Sequence, residues 1–357
     1  MKDYILAIDI GTTSTKVVAF SKTGELLHRA NAGYPILHPK PTHQEQAPDA
    51  IYQALMKASK EVIASCERTP IAIVFSSAMH SLIAVDKEGE LLTNSIIWAD
   101  GRSQDYADAL RNTELGKDIY ERTGTPIHPM SLLCKIAWLR DHESAIFERT
   151  AYFISIKAYV LYRWFGRFVI DESIASATGL FDVHERKWYE AALDYCDITS
   201  DQLAEVVSTK YVLEDLKQSV AEELQIPQDT PIIIGASDGC LANLGAGITE
   251  IGKAVMSIGT SAAIRMTHHT PIPDVDTQLF NYILDEKHYV IGGPSNNGGV
   301  VYEWFQETFG TIEAAADLPI GSERLLFLPY LMGERAPVWN TDASAAFIGL
   351  RKLHNTS

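Results

Sequence analysis

The sequence predicts an α/β fold in two domains, and three observations carry that expectation. With 357 residues, 46% of them hydrophobic and 21% charged, the chain is long enough to build two cores rather than one. Its opening reads as strand, turn, strand, strand and helix. From Lys253 the same order begins again.

Apolar runs at residues 4–10 and 17–20 flank Gly11-Thr12-Thr13-Ser14, the pattern of a hairpin. A third strand is expected at 25–36. A helix is expected at 47–65, where Ile51, Leu55, Val62 and Ile63 recur at helical spacing behind Pro48 and Asp49. Residues 71–75 and 231–235 read as further strands, the second running into Ala236-Ser237-Asp238-Gly239 and an Ala/Leu-rich helix. Between about 102 and 225 the pattern turns helical, with amphipathic stretches at 132–139 and 156–164, read as an insertion that builds a substrate lid. The second unit repeats the hairpin around Gly259-Thr260-Ser261, with a strand at 288–292 and a helix at 300–308. Both hairpins carry Ile-Gly-Thr at the turn, which argues for duplication. Domains are therefore expected at 1–250, with the insertion, and at 251–357.

The formal charge of −16, from 46 acidic and 30 basic residues, argues against nucleic acid and membrane surfaces as partners. An anionic substrate must be met by a few specific cations inside a cleft. The short apolar start, interrupted by Asp3 and Asp9, is not a secretory signal, and a cytoplasmic location is expected. Cys66, Cys134, Cys196 and Cys240 are too scattered for a disulfide framework or a zinc site. Asn355-Thr356-Ser357 matches a glycosylation acceptor by chance spacing.

A tight Gly-Thr hairpin points backbone N–H groups and hydroxyls at one spot, which suits phosphate oxygens, although such a turn also serves simply to reverse a strand. Asp9 before the first turn suits Mg²⁺ bound through water, and Lys16 after it suits a phosphoryl group in transfer. Taken alone, the one is equally a turn cap and the other a solvated strand residue. Transfer to an alcohol needs a carboxylate beside the acceptor hydroxyl, and Asp238 is the candidate base, at a position where Asp also serves as a helix N-cap. No Gly-x-x-x-x-Gly-Lys-Ser/Thr loop, protein-kinase motif set or dinucleotide fingerprint is present.

Further segments complete a series: Glu45-Gln46-Ala47-Pro48, Trp98-Ala99-Asp100-Gly101-Arg102, residues 171–182, Gly333-Glu334-Arg335-Ala336-Pro337 and Ala346-Phe347-Ile348-Gly349. With the two hairpins and the Asp238 segment, their order resembles the FGGY carbohydrate kinases along essentially the whole chain. The resemblance implies two RNase-H-like domains of the actin and sugar-kinase superfamily around a cleft, with ATP and Mg²⁺ as cofactors. Asp238 and Lys16 are then catalytic, and Asp9 lies on the magnesium side. Gly11, Thr12, Thr13, Ser14, Gly259, Thr260 and Ser261 contact phosphate, and Gly298 and Gly299 form a nucleotide-side turn.

Within the family, Ala78-Met79-His80-Ser81, Asp238-Gly239 and Asn296-Asn297-Gly298-Gly299 look like gluconate kinases. Xylulose kinases carry Gln-Met-His-Gly and Asp-Asn at the corresponding places, and glycerol kinases an Arg-Glu pair at His80-Ser81. The implied reaction is ATP-dependent conversion of D-gluconate to 6-phospho-D-gluconate, with another sugar such as xylulose, or an inactive sugar-binding scaffold, as alternatives. Met79, His80, Trp98, Asp100, Arg102 and Asp238 are the expected substrate residues, with Arg102 meeting the carboxylate through paired hydrogen bonds. Read without the resemblance, His80 and Trp98 are ordinary core residues and Arg102 a surface ion-pair partner. The partners are thus a sugar acid and ATP, with a homodimer as the candidate assembly. Family members extend past this point, so the second domain is expected to be incomplete and ATP to bind weakly.

Overall fold

The computed structural model describes residues 3–310 and 324–352; the Asn355-Thr356-Ser357 triplet and the last positions of the second domain lie outside them. The first domain is built on a six-stranded sheet. In chain order its elements are β1 (Tyr4–Ile10), β2 (Ser14–Ser21), β3 (Leu26–Gly33), the helix α1 (Pro48–Ser65), β4 (Ala72–Ser77), β5 (Val212–Leu213) and β6 (Ile232–Ser237). Spatially the strands run β5, β6, β4, β1, β2, β3. The expected hairpin is β1 and β2, whose register sets Asp9 opposite Lys16, so both side chains leave one face of the sheet. The central strands β6, β4 and β1 are parallel.

Apolar residues alternate along β1, with Leu6, Ile8 and Ile10 buried against Ile51 and Leu55 of α1, Phe75 of β4 and Trp164. Burying each such side chain stabilises the fold by roughly 1.5–3 kcal/mol. Parallel strands present their C-terminal ends together, and in α/β sheets ligands bind at that edge. Asp9, the Ala78-Met79-His80 segment and Asp238 all leave this edge from three neighbouring strands.

The second sheet has four strands, β7 (Ala254–Ile258), β8 (Ala262–His268), β9 (Phe280–Ile283) and β10 (Tyr289–Ser295), in the order β7, β8, β10, β9. The repeated hairpin, the third strand and the helix Gly299–Phe309 form as expected; β9 was not expected. Its residues are fully buried. It docks on the insertion, where Ile283 N donates to Ser176 Oγ at 2.9 Å and Asn281 N to the Gly124 carbonyl at 2.8 Å.

The insertion departs from the expected lid. Helices Leu132–His142 and Ile156–Phe165 form, but residues 132–139 are buried on all sides, Lys135 included. Lys135 survives there because its ammonium donates to the carbonyls of His80, Ile97 and Ile96 at 2.5, 2.9 and 3.3 Å. Burial lowers its pKa to about 7. Both helices pack into hydrophobic core. The four cysteines are free thiols, and among the described residues no helix is long and apolar enough to cross a membrane.

Candidate active site

A cavity of about 350 Å³ lies between the two sheets. Met79, His80, Trp98 and Asp238 line it from the first domain, and Gly259, Ser261, Arg265 and Arg335 from the second.

Asp238 reaches the cavity because the strand before it is bent. Gly235 has φ +69°, and β6 shifts register between Ile233 and Ala236; a Cβ at Gly235 would fall 1.8 Å from the Phe75 carbonyl oxygen, so only glycine fits. The helix that follows, α2 (Asp238–Gly245), is capped by Ser237, whose Oγ accepts from Cys240 N. Asp238 is therefore not the cap that its position suggested. Its Oδ1 accepts from Gly239 N at 2.6 Å. Burial, then the nearby negative charge of Asp9, raises its pKa to about 6 against the Gly239 hydrogen bond and the charges of Arg265 and Lys157.

Residues behind Asp238 hold it still. Ser173 Oγ accepts from Ser237 N at 3.2 Å and donates to Ser237 Oγ at 3.0 Å. Lys157 pairs with Asp171 at 2.6 Å in full burial and also donates to the Ala236 carbonyl at 3.3 Å. Asp171 caps the helix Glu172–Ser176 through Ile174 N. The 171–182 segment thus braces the strand that delivers Asp238, a role that the pattern alone did not assign.

The first hairpin touches the cavity through its neighbours. Trp98 Nε1 donates to Thr12 Oγ1 at 3.0 Å, and Ala78 N to the Ile10 carbonyl at 2.8 Å. Gly11 N donates to the Ser14 carbonyl at 3.1 Å, the Thr13 carbonyl accepts from Tyr34 N, and Gln46 Nε2 donates to the Thr12 carbonyl. Lys16 is exposed. Across the cleft Gly259 N donates to the Ser261 carbonyl at 2.8 Å, and Gly298 and Gly299 fold onto this turn, donating to the Thr260 and Gly259 carbonyls at 3.1 and 2.6 Å. A Cβ at Gly298 would lie 2.5 Å from Ser261 backbone atoms, so glycine is required for that approach. The helix α3 (Gly299–Phe309) begins here and turns its N–H groups toward the second hairpin.

His80 sits at φ +64° with its carbonyl held by Lys135. Its Nε2 lies 3.3 Å from Tyr282 Oη, its Nδ1 is buried without a partner, and burial depresses its pKa to about 3, so the ring is neutral. The ring packs edge-on against Tyr282 with centroids 5.9 Å apart, and both residues line the cavity.

Asp100 and Arg102 are not brought to the cavity. Asp100 accepts from Arg102 Nε and Nη2, both at 2.8 Å, while Arg102 Nη2 also donates to Glu45 at 2.6 Å and the guanidinium lies over Trp138. The carboxylate contact expected of Arg102 is thus corrected: its donors are already committed to buried Asp100 and partly buried Glu45. The cations that do face the cavity, Arg265 and Arg335, were missed, although a lone arginine within the apolar β8 was a legible signal.

Asp9 accepts from Ser76 Oγ at 2.8 Å. Among the described residues no cluster of three or more His, Cys, Asp or Glu can enclose a metal. Two hard carboxylates whose charges disfavour each other fit Mg²⁺, which keeps its waters and needs only one or two protein acids beside phosphate oxygens.

Residues 4–245 match the FGGY family of carbohydrate kinases, N-terminal domain, and residues 254–356 its C-terminal domain. The gluconokinase of Bacillus subtilis (strain 168) is 41% identical over 99% of this chain and 72% of its own length. Among solved structures, the gluconate kinase of Lactobacillus acidophilus superposes with TM-score 0.94 at 34% identity, covering all of this chain and 74% of that one. The ligand-bound xylulose kinase of the same organism superposes with TM-score 0.95 at 35% identity, covering 99% and 74%. Two hairpins, a bent strand end carrying Asp238 and a cavity between two sheets agree with these matches, and the chain belongs to the FGGY family of carbohydrate kinases.

Proposed function

We propose that the protein transfers the γ-phosphoryl group of ATP to the terminal hydroxyl of D-gluconate, giving 6-phospho-D-gluconate and ADP. One observation carries the reading: a carboxyl raised to about 6, Asp238, at a cavity lined by the second Gly-Thr hairpin and by Trp98, which is hydrogen-bonded to Thr12 of the first. Near neutral pH Asp238 is mostly ionised yet basic enough to orient the hydroxyl and take its proton as the new oxygen–phosphorus bond forms. The bond from the γ-phosphorus to the bridging oxygen breaks, and ADP leaves.

Phosphate oxygens meet the hairpins 11–14 and 259–261, with Lys16 beside the group in transfer and Gly298 and Gly299 on the nucleotide side. Mg²⁺ held at Asp9 supplies positive charge against the phosphates. Met79, His80 and Trp98 seat the carbon chain. We place the boundary between the domains at 250/251 and the protein in the cytoplasm.

The 41% identity with a gluconokinase and the two guanidinium groups in the cavity favour a sugar acid. The equal fold match to a xylulose kinase makes a ketopentose the second reading. Incubation with ATP, Mg²⁺ and gluconate, followed by ³¹P NMR, is expected to show a phosphomonoester at C6. Phosphorylation of xylulose but not of gluconate rejects the proposal.

A further inference from the structure

We infer that Arg265 and Arg335, both from the second domain, form the subsite for the substrate's carboxylate. This deepens the sugar-acid reading and rests on it.

The two guanidiniums line the cavity opposite His80, Trp98 and Asp238. Arg335 lies over Trp98, 5.7 Å from the ring centroid; its Nη2 donates to the Ser295 carbonyl at 3.2 Å, and its Nε is buried with no hydrogen-bond partner. Arg265 Nη1 donates to Ser257 Oγ at 3.0 Å. No ion pair joins either group to a carboxylate among the described residues, in contrast with Arg102.

The acid next in sequence, Glu334, is engaged elsewhere, accepting from Ser295 Oγ at 2.8 Å, Asn296 N at 3.0 Å and Arg335 N at 2.7 Å. Burial and the charge of Arg265 hold Arg335 below its usual range, the situation that a bound anion relieves. The start of α2 lies directly against Arg265, since a Cβ at Gly239 would stand 3.5 Å from Arg265 Nε and 3.2 Å from Met79 Cε. A buried, unmade donor on a planar fork is matched by a carboxylate's two oxygens. A γ-phosphate offers similar chemistry, so the test must separate the two anions.

Calorimetry with D-gluconate, with D-glucitol (in which CH₂OH replaces the carboxylate) and with ATP makes the separation. The wild-type chain is expected to bind gluconate at least about 10-fold tighter than glucitol; Arg335→Gln and Arg265→Gln should each weaken gluconate by roughly 10- to 100-fold while glucitol and ATP stay within about 3-fold. A variant that keeps the preference for gluconate overturns the inference and leaves the sugar-acid reading standing. A fall in ATP affinity matching that for gluconate assigns the pair to phosphate and also overturns it. No preference in the wild-type chain removes the sugar-acid reading itself. Melting curves establish folding. Should a Gln variant not fold, Arg335→Lys and Arg265→Lys take its place, with an expected loss of about 10-fold for gluconate alone; unchanged affinity contradicts the assignment.

Discussion

Replacing Asp238 by Asn should make the protein more stable and far less active. The carboxyl is held at about 6 against an ordinary 3.8, close to two units of differential protonation at about 1.4 kcal/mol each, or about 3 kcal/mol. Because the folded-state value is raised, the penalty is absent below the unfolded value, grows as pH rises through this window and is complete above about 6. Asn carries no such penalty, and its Oδ1 can still accept from Gly239 N. The helix keeps its cap, which belongs to Ser237. Urea denaturation at pH 8 should therefore show Asp238→Asn more stable by up to about 3 kcal/mol, the difference vanishing toward pH 4. Turnover should fall by roughly 10²- to 10⁴-fold. A variant with near-normal turnover, or one less stable at pH 8 than at pH 4 relative to wild type, refutes the reasoning.

Arg102→Met removes the only side-chain cation paired with buried Asp100 and partly buried Glu45 among the described residues, so urea denaturation should show a loss of about 3 kcal/mol, with gluconate affinity of the folded fraction little changed. Gly235→Ala forces a side chain onto the Phe75 carbonyl at a positive φ and should cost roughly 3 kcal/mol or more by the same assay, with turnover lost as Asp238 is displaced. The profile of kcat/KM against pH should carry an acid limb near 6, where Asp238 ionises. In Arg265→Gln that limb should move upward, because the arginine's charge favours the carboxylate.

The two hairpins were legible because Gly-Thr turns between apolar runs leave few alternatives, and their recurrence placed the second sheet. Strand β9 was not, since Asn281 interrupts its apolar pattern; the side chain is buried and accepts from Ile272 N at 2.7 Å, a tertiary pairing invisible in the local sequence. Lys135 and Lys157 made two helices look amphipathic, whereas their ammonium groups are satisfied by loop carbonyls and by Asp171. For Asp238 the chemistry was legible and the capping was not: Ser237 and Asp238 both suit an N-cap, and only the helix start decides between them. Arg102 was misassigned for a related reason. Asp100, two residues before it, claims its fork within the same turn, and that pairing leaves the cavity to arginines from the other domain.

A competition assay puts the substrate to the test: equal concentrations of D-gluconate and D-xylulose with limiting ATP and Mg²⁺, the phosphorylated products resolved by mass. The product ratio reports the ratio of kcat/KM values, and a carboxylate held by charge-assisted hydrogen bonds should set it at roughly 10 to 1 or more in favour of 6-phosphogluconate. Equal amounts of the two phosphate esters, or an excess of xylulose phosphate, would contradict a sugar-acid kinase.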